Sequence, residues 1–221
     1  MGRTWVVIPM FNEATVIGSV IEDVRRVYPH VVCVDDGSSD GSSDAARAAG
    51  AVVVQHPINL GQGASLQTGF DYALSDPLMT EVVTFDADGQ HQLSDAVAMV
   101  AKLRDEDLDI VIGSRFLDDR TQVGWAKRLV LRTAARYSRL TSGMALTDAH
   151  NGLRVIDRGV LERVRIHQNR MAHASELIDK VGRLDVRWAE HPTHIVYTDY
   201  SRAKGQSLLN SINILVDLIF R

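Results

Sequence analysis

Five short, near-continuous apolar runs punctuate the first half of the chain, at Thr4–Ile8, Val31–Val34, Ala51–Val54, Val82–Phe85 and Asp109–Ile112. Strands that are apolar at almost every position, rather than at alternate ones, are buried on both faces. The segments between them carry helical spacing. Val16, Ile17, Val20, Ile21, Val24 and Val27 recur at i, i+3 and i+4, and Pro29 closes that helix. Further helices are expected over Ser43–Ala49, stopped by Gly50 at the C′ position, from the Asn59–Gly63 loop through Leu74, and from Ser94, as N-cap, to Arg104. Parallel strands need crossover helices, so this alternation predicts an α/β fold: a single domain with a mostly parallel central sheet and helices on both faces.

At 221 residues the chain is long enough for one substantial core. Its net charge of −4 gives no global electrostatic case for nucleic acid as a partner. The single cysteine, Cys33, sits in an apolar strand and reads as a core thiol, which excludes a disulfide and a cysteine-based metal site. Trp5–Ile8 is too short for a signal-peptide core, and no apolar run approaches the roughly 18 residues of a membrane span. A cytoplasmic protein is therefore expected.

After Arg115 the regularity drops. Gly124–Leu140 reads as a basic helix bearing Lys127, Arg128, Arg132, Arg136 and Arg139. Strands are expected at Leu153–Ile156, Leu184–Trp188 and Ile195–Thr198, and a helix over Ala172–Val181. Tyr200–Gln206 is a polar loop. The main domain is expected over 1–206, with halves meeting near 116, followed by an amphipathic helix over 207–221. Leu208, Leu209, Ile212, Leu215, Val216 and Ile219 form one stripe of that helix. It is too short to cross a bilayer, so it either packs on the core or lies on a membrane surface or a membrane partner.

In open α/β sheets ligands gather beyond the carboxyl ends of the strands. The fourth strand runs into Asp86-Ala87-Asp88-Gly89-Gln90, two carboxylates spaced i, i+2. Mg²⁺ commonly takes one or two protein carboxylates and completes its shell with water and phosphate oxygens; the alternative is a polar turn. Asp35-Asp36-Gly37-Ser38 follows the second strand, and either supplies a carboxylate to a base or ribose or forms an Asx turn with a cap. The first turn, Pro9-Met10-Phe11-Asn12-Glu13, carries neither the dinucleotide G-x-G-x-x-G nor the P-loop pattern. Gly61-Gln62-Gly63 reads as a tight helix entry rather than a phosphate cradle, although its amides remain able to approach a ligand. Acids and amides at three strand ends thus share one edge of one sheet.

Pro9-Met10-Phe11-Asn12-Glu13, Val34-Asp35-Asp36-Gly37-Ser38-Ser39-Asp40-Gly41, Asn59-Leu60-Gly61-Gln62-Gly63-Ala64, Asp86-Ala87-Asp88-Gly89-Gln90 and Gly113-Ser114-Arg115 follow one another in an order that resembles family 2 glycosyltransferases. The nearest likeness is to the polyprenol-phosphate mannosyl- and glucosyltransferases of the GT-A fold. It covers about residues 4–116; Asn151-Gly152-Leu153-Arg154 and Arg202–Ser207 match more loosely. The resemblance implies a metal-dependent, inverting transfer of a hexose from a nucleotide-diphosphate sugar to a polyprenyl phosphate or other lipid-linked acceptor in cell-envelope glycan synthesis.

The same resemblance implies roles. Pro9, Phe11, Glu13 and Asp36 would line the nucleoside pocket, with Gly61, Gln62 and Ala87 beside the donor. Phe11 stands where a tyrosine is commoner. Asp86, Asp88 and Gln90 would hold Mg²⁺ or Mn²⁺ against the diphosphate, and Arg115, Arg202 and Lys204 would meet phosphate. A hydroxyl acceptor needs a base, for which Asp148 and Glu176 are the candidates. A lipid phosphate needs cations instead, from Arg115, Arg202, Lys204 and the basic helix. The alternatives are transfer to a sugar hydroxyl of a surface polysaccharide, and a non-catalytic nucleotide-sugar-binding partner of a membrane protein. With no spanning helix before Arg221, a lipid acceptor would be met peripherally at the inner membrane face through 207–221.

Overall fold

The structure, a computed structural model, describes residues 2–118, 142–170 and 172–196. The expected basic helix over 124–140, the loop bearing Arg202 and Lys204, and the helix over 207–221 lie outside the described residues.

Seven strands form one sheet: β1 (Arg3–Met10), β2 (His30–Asp35), β3 (Val52–Gln55), β4 (Met79–Thr84), β5 (Ile110–Ser114), β6 (Arg154–Asp157) and β7 (Trp188–Pro192). Their order is β3-β2-β1-β4-β6-β5-β7. All neighbours are parallel except β6, which runs antiparallel between β4 and β5. The predicted α/β fold with a mostly parallel sheet is what the chain adopts.

The apolar runs are two-faced in fact. Trp5 and Val7 of β1 join one buried cluster with Leu66 and Phe70, whereas Val6 and Ile8 join another with Ile17, Ile21 and Met99. Helices α3 (Gln62–Leu74) and α6 (His173–Gly182) cover the first face. Helices α1 (Ile17–Arg25), α2 (Ser42–Ala48) and α4 (Leu93–Asp105) cover the second. A short α5 (Arg158–Leu161) follows β6, its start capped by Asp157, whose side chain accepts from Gly159 N. Gly50, at φ +90°, follows α2 as the expected C′ glycine.

Three boundaries differ from expectation. β1 continues through Pro9 to Met10. Val7 O accepts from Phe85 N towards β4 and Met10 O accepts from Asp36 N towards β2, so alternation points the missing Pro9 donor at β4, which has already ended at Thr84. Helix α4 begins at Leu93 after an extended Gln92, leaving Ser94 inside the helix rather than capping it. The strand expected at Leu184–Trp188 is displaced to Trp188–Pro192. It is an edge strand whose residues are all half-buried, so no continuous apolar run marks it.

Candidate active site

The carboxyl ends of β1, β2 and β4 place three connections side by side, and side chains lace the first two. Asn12, held at φ +54°, receives at its oxygen Ser39 N (3.0 Å), while Ser38 Oγ accepts from Asn12 N (2.9 Å). Ser42 Oγ accepts from Glu13 N (2.8 Å), and Asp40 accepts from Ala14 N (3.0 Å). Asp35 is fully buried and serves the turn, accepting from Ser38 N (2.8 Å) and Ser43 Oγ.

The carboxylate of Asp36, a residue expected at the nucleoside, is hydrogen-bonded within the protein. It accepts from Leu60 N (2.9 Å) and Gly61 N (2.7 Å) and lies 2.8 Å from His56 Nδ1, whose other nitrogen is 3.0 Å from Thr68 Oγ1. Asp36 therefore shapes the loop that opens α3. That loop is tight for a second reason. A Cβ on Gly61 or Gly63 would come within 2.2 Å of Asn169 O or 2.0 Å of Gln168 O, so both glycines admit the 168–169 backbone. Pro9 is buried in β1, Ala87 packs among the core residues under α1 and α4, and Phe11 keeps 43% of its surface exposed.

The acidic pair sits at the mouth of β4. Asp86 Oδ2 lies 2.9 Å from His91 Nε2, and Oδ1 accepts from Gln62 Nε2 at 3.2 Å. Burial pushes the Asp86 carboxyl upward, but the positive charge and hydrogen bond of His91, with Arg154 and His173 behind, hold it below the usual range. Asp88 goes the other way: burial and the neighbouring Asp86 charge push it up to about 6. Asp88 Oδ1 accepts from Gln90 N (3.0 Å), and among the described residues its other oxygen accepts no hydrogen bond. Gln90 is buried, and its backbone oxygen accepts from Val196 N (3.0 Å).

No group of three His, Cys, Asp or Glu side chains among the described residues is assembled to hold a cation. Two adjacent carboxylates, one of them open and raised by the other, do fit a divalent ion that brings phosphate oxygens as further ligands.

On the far side of the sheet's edge, Arg115 and Asp148 were expected to act separately, and the structure joins them. Asp148 is 1% exposed and accepts from Arg115 Nε (2.6 Å), Nη2 (2.7 Å) and backbone N (3.2 Å). Burial raises its carboxyl but Arg115 outweighs this and holds it below the ordinary range. Glu176, the other candidate base, accepts from His167 N and Gln168 N (2.7 Å) and pairs with Lys180 (2.8 Å), which also lowers it. Both carboxylates are thus engaged by groups of the protein itself. Arg202 and Lys204 lie outside the described residues.

Sequence reading overlooked His91, which follows Gln90 directly, and His56, and it named Gly152 and Arg154 only within a loosely matching motif, without a role. A Cβ on Gly152 would fall 2.4 Å from Asp86 Oδ2, so this glycine makes room for the carboxylate. Arg154 is 1% exposed, and burial drives it down to about 10 despite Asp86 and Asp148 nearby. His150 and His173 are pushed down to about 4, chiefly by burial.

The chain matches glycosyl transferase family 2 over residues 5–165. It is 25% identical, over 97% of its length and 94% of the relative's, to a UDP-N-acetylglucosamine–dolichyl-phosphate N-acetylglucosaminyltransferase of Methanococcus voltae. It is 33% identical to a polyprenol monophosphomannose synthase of Mycolicibacterium smegmatis, over 73% of its own length and 64% of that protein's. Glucosyl-3-phosphoglycerate synthase from Mycobacterium tuberculosis, crystallised with Mn²⁺, UDP-glucose and phosphoglyceric acid, superimposes with a TM-score of 0.73 at 20% identity, covering 99% of this chain and 79% of that one.

Proposed function

This chain belongs to glycosyl transferase family 2 and is a glycosyltransferase, and from that premise we propose that it moves a hexose from a nucleotide-diphosphate sugar to a polyprenyl phosphate, with inversion and with a divalent metal at Asp86 and Asp88. The observation that carries the acceptor choice is the engagement of both candidate bases: Asp148 by Arg115, and Glu176 by Lys180 and two backbone amides. A sugar hydroxyl must lose a proton as it attacks. A phosphate monoester brings an oxygen that is already anionic and needs no base. The polyprenol-phosphate enzymes among the relatives support the same reading.

Asp86 and Asp88 would hold the cation, which when bound would supply positive charge against the leaving diphosphate. Gln62 and His91 orient the Asp86 carboxylate through its two oxygens. Loops 11–16 and 36–41, laced through Asn12 and Asp40, form the nucleoside side, with Phe11 and Glu13 at its rim. Asp148 acts as a positioning residue that presents Arg115 to acceptor or donor phosphate, with Arg202 and Lys204 proposed to join it.

Purified protein is incubated with Mn²⁺, a panel of nucleotide sugars, and either a short-chain polyprenyl phosphate or a saccharide acceptor. The expected product is a glycosyl phosphoryl polyprenol, formed by the phosphate lipid and lost with EDTA. Transfer to the saccharide hydroxyl, with none to the lipid phosphate, overturns the acceptor assignment.

A further inference from the structure

Arg154 is the most deeply buried cation among the described residues, and its hydrogen bonding does not explain it. Its side chain is 1% exposed; Nη2 donates to Ala149 O at 3.2 Å, and the buried Nε has no partner. A charge buried with so few hydrogen bonds is costly unless an opposite charge faces it. Two carboxylates flank Arg154, Asp86 and Asp148. Asp148 is already neutralised by the two-pronged grip of Arg115. Asp86 is therefore the carboxylate that remains to face Arg154, and it faces His91 as well.

The backbone fixes this arrangement. Arg154 pairs with Thr84 of β4, two residues before Asp86, and its N–H is accepted by Thr84 Oγ1 at 3.1 Å. Thr84 Oγ1 also donates to Gly152 O at 2.6 Å, and Gly152 abuts the Asp86 carboxylate. The segment 152–154 is thus strapped to the end of β4, and the arginine has little room to move away.

We propose that Arg154 is a positioning residue whose fixed positive charge weakens cation binding at Asp86 and Asp88 until the diphosphate of the donor arrives, so that metal and nucleotide bind as a unit. Arg154 offsets one unit of the negative charge that Asp86 and Asp88 offer a divalent ion, beyond the effect of His91 beside Asp86. The nucleotide's diphosphate restores the missing negative charge. Without Arg154 the site regains one unit of negative charge, and the ion should bind more tightly on its own. This inference rests on the cation site assigned above.

Mn²⁺ binding is followed by electron paramagnetic resonance on wild type, Arg154→Met and Arg154→Lys, alone and with the nucleoside diphosphate that gives the largest thermal shift among UDP, GDP and dTDP. Wild type should bind Mn²⁺ alone only weakly and at least about tenfold more tightly with the nucleotide. Arg154→Met, which keeps the volume and loses the charge, should bind Mn²⁺ alone on the order of tenfold more tightly than wild type. Arg154→Lys should restore the wild-type value. A merely structural arginine would give weaker binding in the Met variant and no rescue, which overturns the proposal. If Met does not fold, wild type decides the matter, since tight nucleotide-free Mn²⁺ binding also overturns it. No Mn²⁺ binding to wild type even with the nucleotide refutes the cation site itself, a different failure.

Discussion

At the residue scale the site carries its function at a cost to the fold. Asp88 is raised to about 6 by burial and by Asp86, against about 3.9 in an unfolded chain. Between those values the folded protein holds a proton that the unfolded chain has released. Stability must therefore fall as pH rises from about 4 to about 6 and level off above. Asp88→Asn removes this dependence. In metal-free protein it should be more stable than wild type above pH 6 by about 1–2 kcal/mol, allowing for solvent screening, and no more stable below pH 4. Urea midpoints at pH 4, 5, 6 and 7 measure the difference. The same variant should lose turnover by roughly 10²-fold or more if Asp88 is, as proposed, a ligand of the cation. A variant that retains turnover removes Asp88 from the site. The sequence showed the Asp86/Asp88 pair because strand and acids are contiguous there. It showed Gly152 and Arg154 as part of a loose motif but not their place beside Asp86, which they reach because β6 returns antiparallel beside β4.

At the scale of elements, the glycines separate those that close packing requires from those it does not. Gly63 opens α3 with the Gln168 carbonyl 2.0 Å from where its Cβ would stand, whereas Gly18 of α1 has nothing within 4 Å. Gly63→Ala must push the 168–169 segment away and should cost about 1–3 kcal/mol. Gly18→Ala gains helix propensity without a clash and should stabilise by about 0.5–1 kcal/mol. Opposite shifts in melting temperature are the test; equal shifts would mean that the packing at α3 is not as described. The G-x-G pattern was legible as a tight helix entry, but its cause was not, because the 168–169 backbone lies about a hundred residues further along the chain. Strand β7 escaped for a related reason: an edge strand buries each side chain only in part, and Glu190 and His191 interrupt its apolar character.

At the scale of the molecule, the segments before residue 118 and after residue 142 meet where β6 lies between β4 and β5, and the Arg115–Asp148 pair pins the later segment to the end of β5. The alternation of strands and helices made the sheet legible as far as β5; the reversal at β6 was not, because a four-residue strand carries no mark of its direction. The pair's contribution can be isolated by pH. Arg115 holds Asp148 below the ordinary carboxylate range in the folded chain, so the stability it provides is complete above the unfolded value near 3.9 and is lost as pH falls below it. Asp148→Asn leaves Arg115 without its countercharge and should cost about 3–5 kcal/mol at pH 7. That deficit should shrink as pH drops below about 4, because the unfolded wild-type chain then takes up a proton on Asp148 before the folded one does, and the asparagine takes up none. Comparing denaturant midpoints of the two proteins across that range cancels the carboxylates they share. A deficit that stays constant with pH would show that Asp148 acts through shape alone, and that Arg115 is held in place by something other than its charge.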